Sequence, residues 1–205
     1  MATPAWRRLV VLLLLAVAVC ATPAQPQGRV DEAAVKAAFL YRFTGFVEWP
    51  PADEPPEEFT VAVLGSVAVA TELEKLLLRN KVHGLPSSVK RLRNPDGLSR
   101  VRMLFVGAGY SGSLREITES LRHPVLVVSE SERGLDDGAA VNFLEADRRV
   151  RFEVSLPAAA RVRLKIGAGM LAVAVRVRRA SVDLPCNGGM PFAGMPPCAL
   201  PVAQR

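Results

Sequence analysis

The segment with the clearest capacity for chemistry is a glycine-rich loop, residues 107–112 (GAGYSG), which has the G-x-G-x-x-G spacing. It follows the apolar run Val101–Val106 and precedes a helical pattern. In dinucleotide-binding folds such glycines let the backbone approach a pyrophosphate, and an acid about 20 residues later binds the ribose hydroxyls. Glu130 has that place. The motif follows a middle strand rather than the first, however, and no acid–base pair accompanies it. A tight strand-to-helix turn is therefore the favoured interpretation, and nucleotide binding is the alternative.

Other catalytic signatures are absent from the sequence. It contains no G-x-S-x-G nucleophile elbow, no H-E-x-x-H helix and no P-loop. Two histidines, His83 and His123, leave little material for a histidine-rich metal site. The sequence therefore predicts a protein that is not an enzyme and that carries no cofactor.

Residues 1–24 predict a secretory signal peptide. A basic start leads into the apolar run Leu9–Ala18, and small residues near Ala21 and Ala24 offer two cleavage points. The run is shorter than the ~20 apolar residues of a membrane-spanning helix, so an uncleaved anchor is the less favoured alternative. Lipid attachment at Cys20 is a second alternative, disfavoured because a bulky valine precedes that cysteine. We expect an exported protein that does not itself span the membrane.

Export changes how the remaining cysteines are interpreted. Cys186 and Cys198 lie in a Pro- and Gly-rich tail, residues 181–205, and an even pair in an oxidising compartment predicts a disulfide. Closing a loop of about a dozen residues would contribute about 3 kcal/mol in the chain-entropy model. The alternative is a Cu(I) site of two thiols and two thioethers, for which this loop offers no rigid support.

Composition and charge narrow the class of partner. Hydrophobic residues make up 50% of the chain and charged residues 22%, which excludes a disordered protein. The formal net charge is +6, and removing the signal peptide leaves 24 basic against 20 acidic residues, so nucleic acid is not a predicted partner. Two basic clusters alternate with apolar residues, which is typical of solvated faces; a patch for an acidic partner or lipid headgroups is the alternative. The clusters are Arg161, Arg163, Lys165 and Arg176, Arg178, Arg179.

Helical and strand patterns alternate through residues 29–180. Asp31 is a candidate cap for a first helix, whose apolar stripe is Val35, Ala38, Phe39, Phe43, Phe46 and Val47. The alternation predicts a single α/β domain with a mixed, mostly parallel sheet and helices on both faces. The predicted strands are Phe59–Leu64, Ser88–Leu92, Val101–Val106 and Pro124–Val128; the predicted hairpin is Ala140–Leu144 with Val150–Leu156; the later predicted helices are Val67–Arg79, Ser113–Arg122 and an apolar closing helix, Gly167–Val177.

The stretch from Val35 to Pro50 (VKAAFLYRFTGFVEWP) resembles the opening of the YfiR-like family of small exported bacterial proteins. The similarity extends through the strands above and Arg151–Val154 (RFEV) to Leu164–Ala174 (LKIGAGMLAVA). It implies a dimeric periplasmic α/β domain that binds and restrains the periplasmic sensor region of an inner-membrane diguanylate cyclase. Cyclic di-GMP output, and with it biofilm behaviour, would then respond to the envelope. Related domains also occur as sensor inputs, so a small-molecule-binding sensor with a different membrane partner is the alternative.

Two sets of residues are candidates for binding. Phe46 and Trp49 are read as partner anchors or as core, since aromatic residues are enriched both in cores and at interface hot spots. A small ligand of an open α/β sheet binds beyond the carboxyl ends of the strands. The residues nominated there are Ser66, Gly109, Ser111 and Ser129.

Overall fold

The computed structural model describes residues 27–180 apart from 53 and 148. The predicted signal peptide, the tail 181–205 and the predicted Cys186–Cys198 disulfide lie outside the described residues.

One seven-stranded sheet forms the centre of the domain, with strand order β3-β2-β4-β5-β6-β7-β9. Neighbouring strands are parallel except for the antiparallel pair β6 and β7. The predicted mixed, mostly parallel sheet is therefore confirmed. Its strands are β2 (Phe59–Leu64), β3 (Ser87–Leu92), β4 (Val101–Val106), β5 (Leu126–Ser129), β6 (Val141–Ala146), β7 (Arg149–Ser155) and β9 (Arg176–Arg178). A two-stranded antiparallel sheet pairs β1 (Val47–Glu48) with β8 (Lys165–Ile166).

Helices cover both faces of the large sheet. Alternate residues of β2 and β4 enter two separate apolar clusters, as a sheet buried on both sides requires. One cluster contains the buried faces of α1 (Gln27–Thr44) and α2 (Val67–Leu77), and the other contains Leu114 and Ile117 of α3 (Leu114–Ser120). Two short helices complete the domain, α4 (Leu156–Arg161) and α5 (Ala168–Val173).

Four phenylalanines join α1 to the β6–β7 hairpin. Phe43 of α1 lies edge-on to Phe152 with 4.9 Å between ring centroids, and its ring stacks on Phe143 at 5.9 Å. Phe39 contacts Phe152 at 5.4 Å. These tilted and offset contacts are the arrangements that aromatic quadrupoles favour, so the cluster holds the helix in a defined position on the hairpin.

Helix α1 differs in two ways from its prediction. It begins at Gln27, so Asp31 lies inside the helix and does not cap it. The predicted apolar stripe is only partly confirmed: Phe39, Phe43 and Val47 pack in the core, but Val35, Ala38 and Phe46 are exposed. The residues that face the core are Ala33, Ala37, Leu40 and Phe43. The small side chains of Ala33 and Ala37 let the helix approach the sheet closely. The prediction missed these two positions because it followed the more strongly apolar valine and phenylalanine residues.

The predicted closing helix Gly167–Val177 is confirmed over Ala168–Val173, which form α5, and is wrong beyond that point. Arg176–Arg178 form β9, the edge strand beside β7. Valine at positions 175 and 177 favours extended backbone. The free edge of β7 supplies the hydrogen bonds that decide in favour of a strand.

The glycine motif forms a 3₁₀ helix, Ala108–Ser113, directly after β4. A β-carbon at Gly107 would lie 3.0 Å from the carbonyl oxygen of Gly65 and 3.2 Å from that of Leu64. A β-carbon at Gly109 would meet nothing within 4 Å. The first glycine is thus explained by the close approach of the neighbouring strand.

These contacts predict different effects for two matched substitutions. We expect Gly107→Ala to lower the free energy of unfolding by about 1–3 kcal/mol, because the added methyl would press against the backbone of Leu64 and Gly65 and force it to shift. Gly109→Ala should change it by less than about 0.5 kcal/mol, as an exposed substitution usually does. Urea unfolding of the two variants measures both values. Equal effects would contradict this explanation of the motif.

Candidate functional site

A cleft of about 510 Å³ opens at the carboxyl ends of β4 and β5. Strand β5 pairs with β6 only as far as Asn142, so the remainder of β6 has no partner on the β5 side. The cleft lies along this part of β6 and is closed by α1, by the segments that follow β4 and β5, and by β7 and β9. Its charged lining residues are Glu32, Lys36, Glu130, Glu132, Glu145, Glu153 and Arg176.

A row of four polar side chains crosses the sheet at the cleft. Register pairs Ser129 with Asn142, Asn142 with Glu153, and Glu153 with Arg176, so the four lie side by side on β5, β6, β7 and β9. The hydroxyl of Ser129 donates to Asn142 Oδ1 at 2.7 Å, and Asn142 Nδ2 donates to Glu153 Oε1 at 3.0 Å. The first three residues are buried. We call Ser129, Asn142, Glu153 and Arg176 the polar row.

Glu153 is the most constrained member of the polar row. Its residue is 5% exposed, yet its Oε2 accepts no hydrogen bond of acceptable angle within the described residues. Nη2 of Arg176 lies 2.7 Å from that oxygen as an ion-pair partner, on a side chain that is 69% exposed. Buried carboxylates normally have both oxygens satisfied, because an unsatisfied charged group carries a desolvation cost. Glu153 is therefore held on one side by Asn142 and on the other only by a solvent-facing guanidinium.

Lys36 links α1 to the loop that follows β5. Its ammonium donates to Glu130 Oε2 and pairs with Glu32 at 2.6 Å, one helical turn earlier. Burial lowers the pKa of Lys36, but the hydrogen bonds and charges of Glu130 and Glu32 outweigh that effect, so the pKa is raised above its ordinary 10.5. The other oxygen of Glu130 accepts the backbone N–H of Ala108 at 3.0 Å. The amide at the start of the glycine motif is thus bonded to the chain's own carboxylate.

Gly134 seals one side of the polar row. A β-carbon at this position would lie 2.2 Å from both Asn142 Oδ1 and Ser129 Oγ, so only glycine fits. The N–H of Ser131 in the same loop donates to Asn142 Oδ1 at 3.1 Å. The loop after β5 therefore covers Ser129 and leaves Glu153 facing the cleft.

The part of the chain that the structure describes contains no recognisable metal site, and both histidines contact the backbone. Within the described residues, no cluster of three or more His, Cys, Asp or Glu side chains could hold a metal ion. The Nε2 atoms of His83 and His123 each contact a backbone carbonyl, of Thr44 and Val101 respectively. Among the same residues, no helix is long and apolar enough to cross a membrane.

Comparison with protein families gives a match over residues 33–175 to the model described as YfiR/HmsC-like. The chain belongs to the YfiR/HmsC-like family. This family is associated with the regulation of diguanylate cyclases, and its members are regulators rather than enzymes. The matched segment includes the whole aromatic cluster and most of the cleft lining, whereas Glu32 and Arg176 of the cleft lie just outside it.

Comparison with solved structures finds a conserved domain protein of Vibrio cholerae O1 biovar El Tor strain N16961. The identity is 9% and the TM-score 0.44; the alignment covers 71% of this chain and 60% of the Vibrio chain, less than two thirds of its length. A comparison with curated proteins finds no match.

The structure separates the four nominated ligand residues of this YfiR/HmsC-like domain. Ser66 caps α2, where its Oγ accepts the N–H of Val69 at 3.3 Å. Gly109 and Ser111 lie in the 3₁₀ helix and do not line the cleft. Ser129 lies in the polar row, buried behind Asn142.

Sequence reasoning missed the cleft residues Lys36, Asn142 and Glu153 as candidates for binding, and it placed Arg176 in a basic cluster and not in a cleft. Asn142 and Glu153 interrupt apolar strands, VNFLEA and RFEVS, and a polar residue in a buried strand is a signal that could have been used. Their proximity follows from the register of β6 and β7, which the sequence does not display.

The two nominated partner anchors have different surroundings. Trp49 is half-buried; its Nε1 donates to the carbonyl of Arg102 at 3.1 Å and its ring is edge-on to Phe59 at 5.2 Å. Phe46 is 42% exposed. Trp49 thus contacts the core of the domain, whereas Phe46 retains a free face.

Lys36 provides a test of how α1 is fixed over the cleft. Lys36→Met keeps the apolar stem and removes the ammonium, and we expect a loss of about 1–2 kcal/mol of unfolding free energy at neutral pH because the pair is only partly buried. A raised pKa in the folded state contributes stability below the ordinary value of 10.5, and this contribution disappears as the pH rises through the folded value. The difference between wild type and variant should therefore narrow above pH 10.5.

Urea unfolding at neutral and alkaline pH measures this difference. Lys75→Met is the matched control, since Lys75 pairs with Glu72 on an exposed helix surface and should contribute little at any pH. If the difference in unfolding free energy between wild type and Lys36→Met stays constant as the pH rises through 10.5, the ion pairs of Lys36 do not stabilise the fold.

Proposed function

We propose that this chain is an exported periplasmic regulator that binds and restrains the periplasmic sensor region of an inner-membrane diguanylate cyclase, and so lowers cyclic di-GMP output. The family match over residues 33–175 supports this proposal. The regulator needs no catalysis, because a soluble protein that prefers the inactive cyclase shifts the equilibrium by its differential affinity for the two states. Family resemblance also suggests that it acts as a homodimer.

The observation that carries the proposal is an exposed apolar surface around Phe46. The Phe46 ring lies against α5, where a β-carbon at Gly169 would be 2.8 Å from its Cε1. Val173, one helical turn beyond Gly169, is 63% exposed. We call Phe46, Gly169 and Val173 the Phe46 surface. A large aromatic ring beside glycine and exposed valine is the kind of anchor around which protein interfaces form.

Charge around the Phe46 surface indicates the chemistry of the partner. Lys165 precedes α5, and Arg176, Arg178 and Arg179 follow it; all four residues are exposed, and two of them are ion-paired, Arg176 with Glu153 and Arg178 with Asp136. The segment between them, residues 167–175, contains no charged residue. An apolar centre with a basic border complements a partner surface that has apolar residues surrounded by acids, and such complementarity also speeds association. We therefore expect the cyclase sensor region to present acidic residues here.

The proposal predicts that Phe46→Ala disrupts partner capture. The tagged mature protein is used to capture partners from solubilised membranes of its own organism, and captured proteins are identified by mass spectrometry. Enrichment of a membrane protein with a cyclase domain is the expected result, and Phe46→Ala should weaken its affinity at least about tenfold, or about 1.4 kcal/mol. Cyclic di-GMP should rise in cells that carry only the variant.

Val67→Ala is the matched control. Val67 is 72% exposed at the start of α2, which follows the carboxyl end of β2. It does not belong to the Phe46 surface. The Val67→Ala variant should bind the cyclase with the affinity of the wild type. Capture of no cyclase would contradict the proposal. If Phe46→Ala instead dissociates a homodimer in light scattering, the Phe46 surface is the contact between copies.

A small-molecule sensor with a different membrane partner is the second candidate function. The cleft favours it, because a volume of about 510 Å³ lies within the range typical of ligand sites, about 300–1,000 Å³.

A further inference from the structure

The cleft is an acidic site in a basic protein. Five carboxylates line it, with two cationic side chains, whereas the whole chain has a formal net charge of +6. Both cations are already paired, Lys36 with Glu32 and Glu130, and Arg176 with Glu153, which leaves Glu132 and Glu145 without a cation among the cleft's own lining residues. The cleft therefore has an excess of negative charge that its own residues do not balance.

Glu153 supplies an acceptor that faces this space. The residue is 95% buried, lines the cleft and has its Oε1 fixed by Asn142. Among the described residues, its Oε2 accepts no well-angled hydrogen bond and has the guanidinium of Arg176, a side chain that is 69% exposed, as its ion-pair partner. A solvent-exposed arginine is a replaceable partner, whereas the buried asparagine behind Glu153 is held by its own hydrogen bonds. The carboxylate is thus prepared to accept a hydrogen bond from a cation that enters the cleft.

The remaining lining indicates which kind of cation fits. A metal ion would need several ligands close together, and no such cluster of three exists among the described residues. Phe143, Leu144 and Val150 give one wall an apolar surface. An alkyl ammonium has three N–H donors for carboxylates and an apolar chain for that wall.

We propose that the cleft binds a small organic cation with a primary ammonium on an aliphatic chain, an alkyl amine or diamine, and that this ammonium replaces the guanidinium of Arg176 at Glu153 Oε2. The second positive charge of a diamine would meet the outer carboxylates of the cleft, Glu132 and Glu145. This proposal is independent of the proposed regulation of a cyclase.

Calorimetry of the mature protein with 1,4-diaminobutane tests the proposal. We expect saturable binding of the diamine and none of 1,4-butanediol, which has the same chain length without charge. Sodium chloride at matched ionic strength controls for general screening. A thermal shift with the diamine should agree, since a ligand of the native state raises its melting temperature. No binding of the diamine, or equal binding of the diol, would overturn the proposal.

Variants locate the site. Glu153→Gln keeps the Oε1 that accepts from Asn142 and removes the charge, and it should weaken diamine binding at least tenfold. Glu74→Gln is the matched control, because Glu74 pairs with Arg91 on an exposed surface outside the cleft, and it should bind as wild type does. Unchanged binding by Glu153→Gln would show that the diamine binds elsewhere.

Arg176→Ala tests the replacement itself and keeps the proposal testable if Glu153→Gln does not fold. Without the competing guanidinium, the diamine should bind several-fold more tightly. If Arg176→Ala binds the diamine with unchanged or weaker affinity, the ammonium does not replace the guanidinium of Arg176 at Glu153, and that part of the proposal is wrong.

Discussion

The structure depends on the antiparallel register of β6 with β7. This register places Phe143 opposite Phe152 and, one residue away, Asn142 opposite Glu153. Because successive strand residues point to opposite faces, the phenylalanines meet α1 while the polar pair faces the other side of the sheet. A slip of one residue would direct Glu153 into the aromatic cluster and expose the phenylalanines. The same hydrogen-bonding pattern thus determines both the core and the cleft.

Helix α1 contacts both the aromatic cluster and the cleft. Its Phe39 and Phe43 pack on the hairpin, and Lys36, one turn earlier than Leu40, reaches the loop after β5. The aromatic contacts position the helix on the hairpin, and the ion pair of Lys36 with Glu130 ties the helix to the loop after β5. Glu130 in turn binds the amide of Ala108, so one carboxylate connects the helix to the segments after two neighbouring strands.

The sequence was most informative where one physical effect dominates. The strands Phe59–Leu64 and Val101–Val106 were predicted with the observed bounds, because continuous apolar runs between turn residues have few alternatives. The closing helix was predicted too long at its carboxyl end, because the valine-rich segment after Val173 can pair with the free edge of β7 and forms a strand there. Tertiary context of this kind is not visible in local composition.

The candidate site was less predictable than the fold for a related reason. Ser129 was nominated from the rule that ligands bind at the carboxyl ends of strands, and it does lie in the polar row, but as a buried residue behind Asn142. Glu153 and Arg176 belong to a row that spans four strands, and it exists only through three successive registers. Long-range pairings of that kind leave no periodicity in the chain, whereas an acid in an apolar strand does leave a detectable anomaly.

Arg176 belongs both to the cleft and to the basic border of the Phe46 surface. It is the last cation of the cleft and also the first residue of the basic border that follows α5, three positions after Val173 of the Phe46 surface. While it pairs with Glu153, part of its charge is neutralised; an ammonium in its place would return that charge to the border. A ligand in the cleft would then strengthen the attraction of an acidic partner, and by linkage the partner would tighten the ligand by the same factor. The short β9, with only three paired residues at the edge of the sheet, is the element through which such coupling would have to pass.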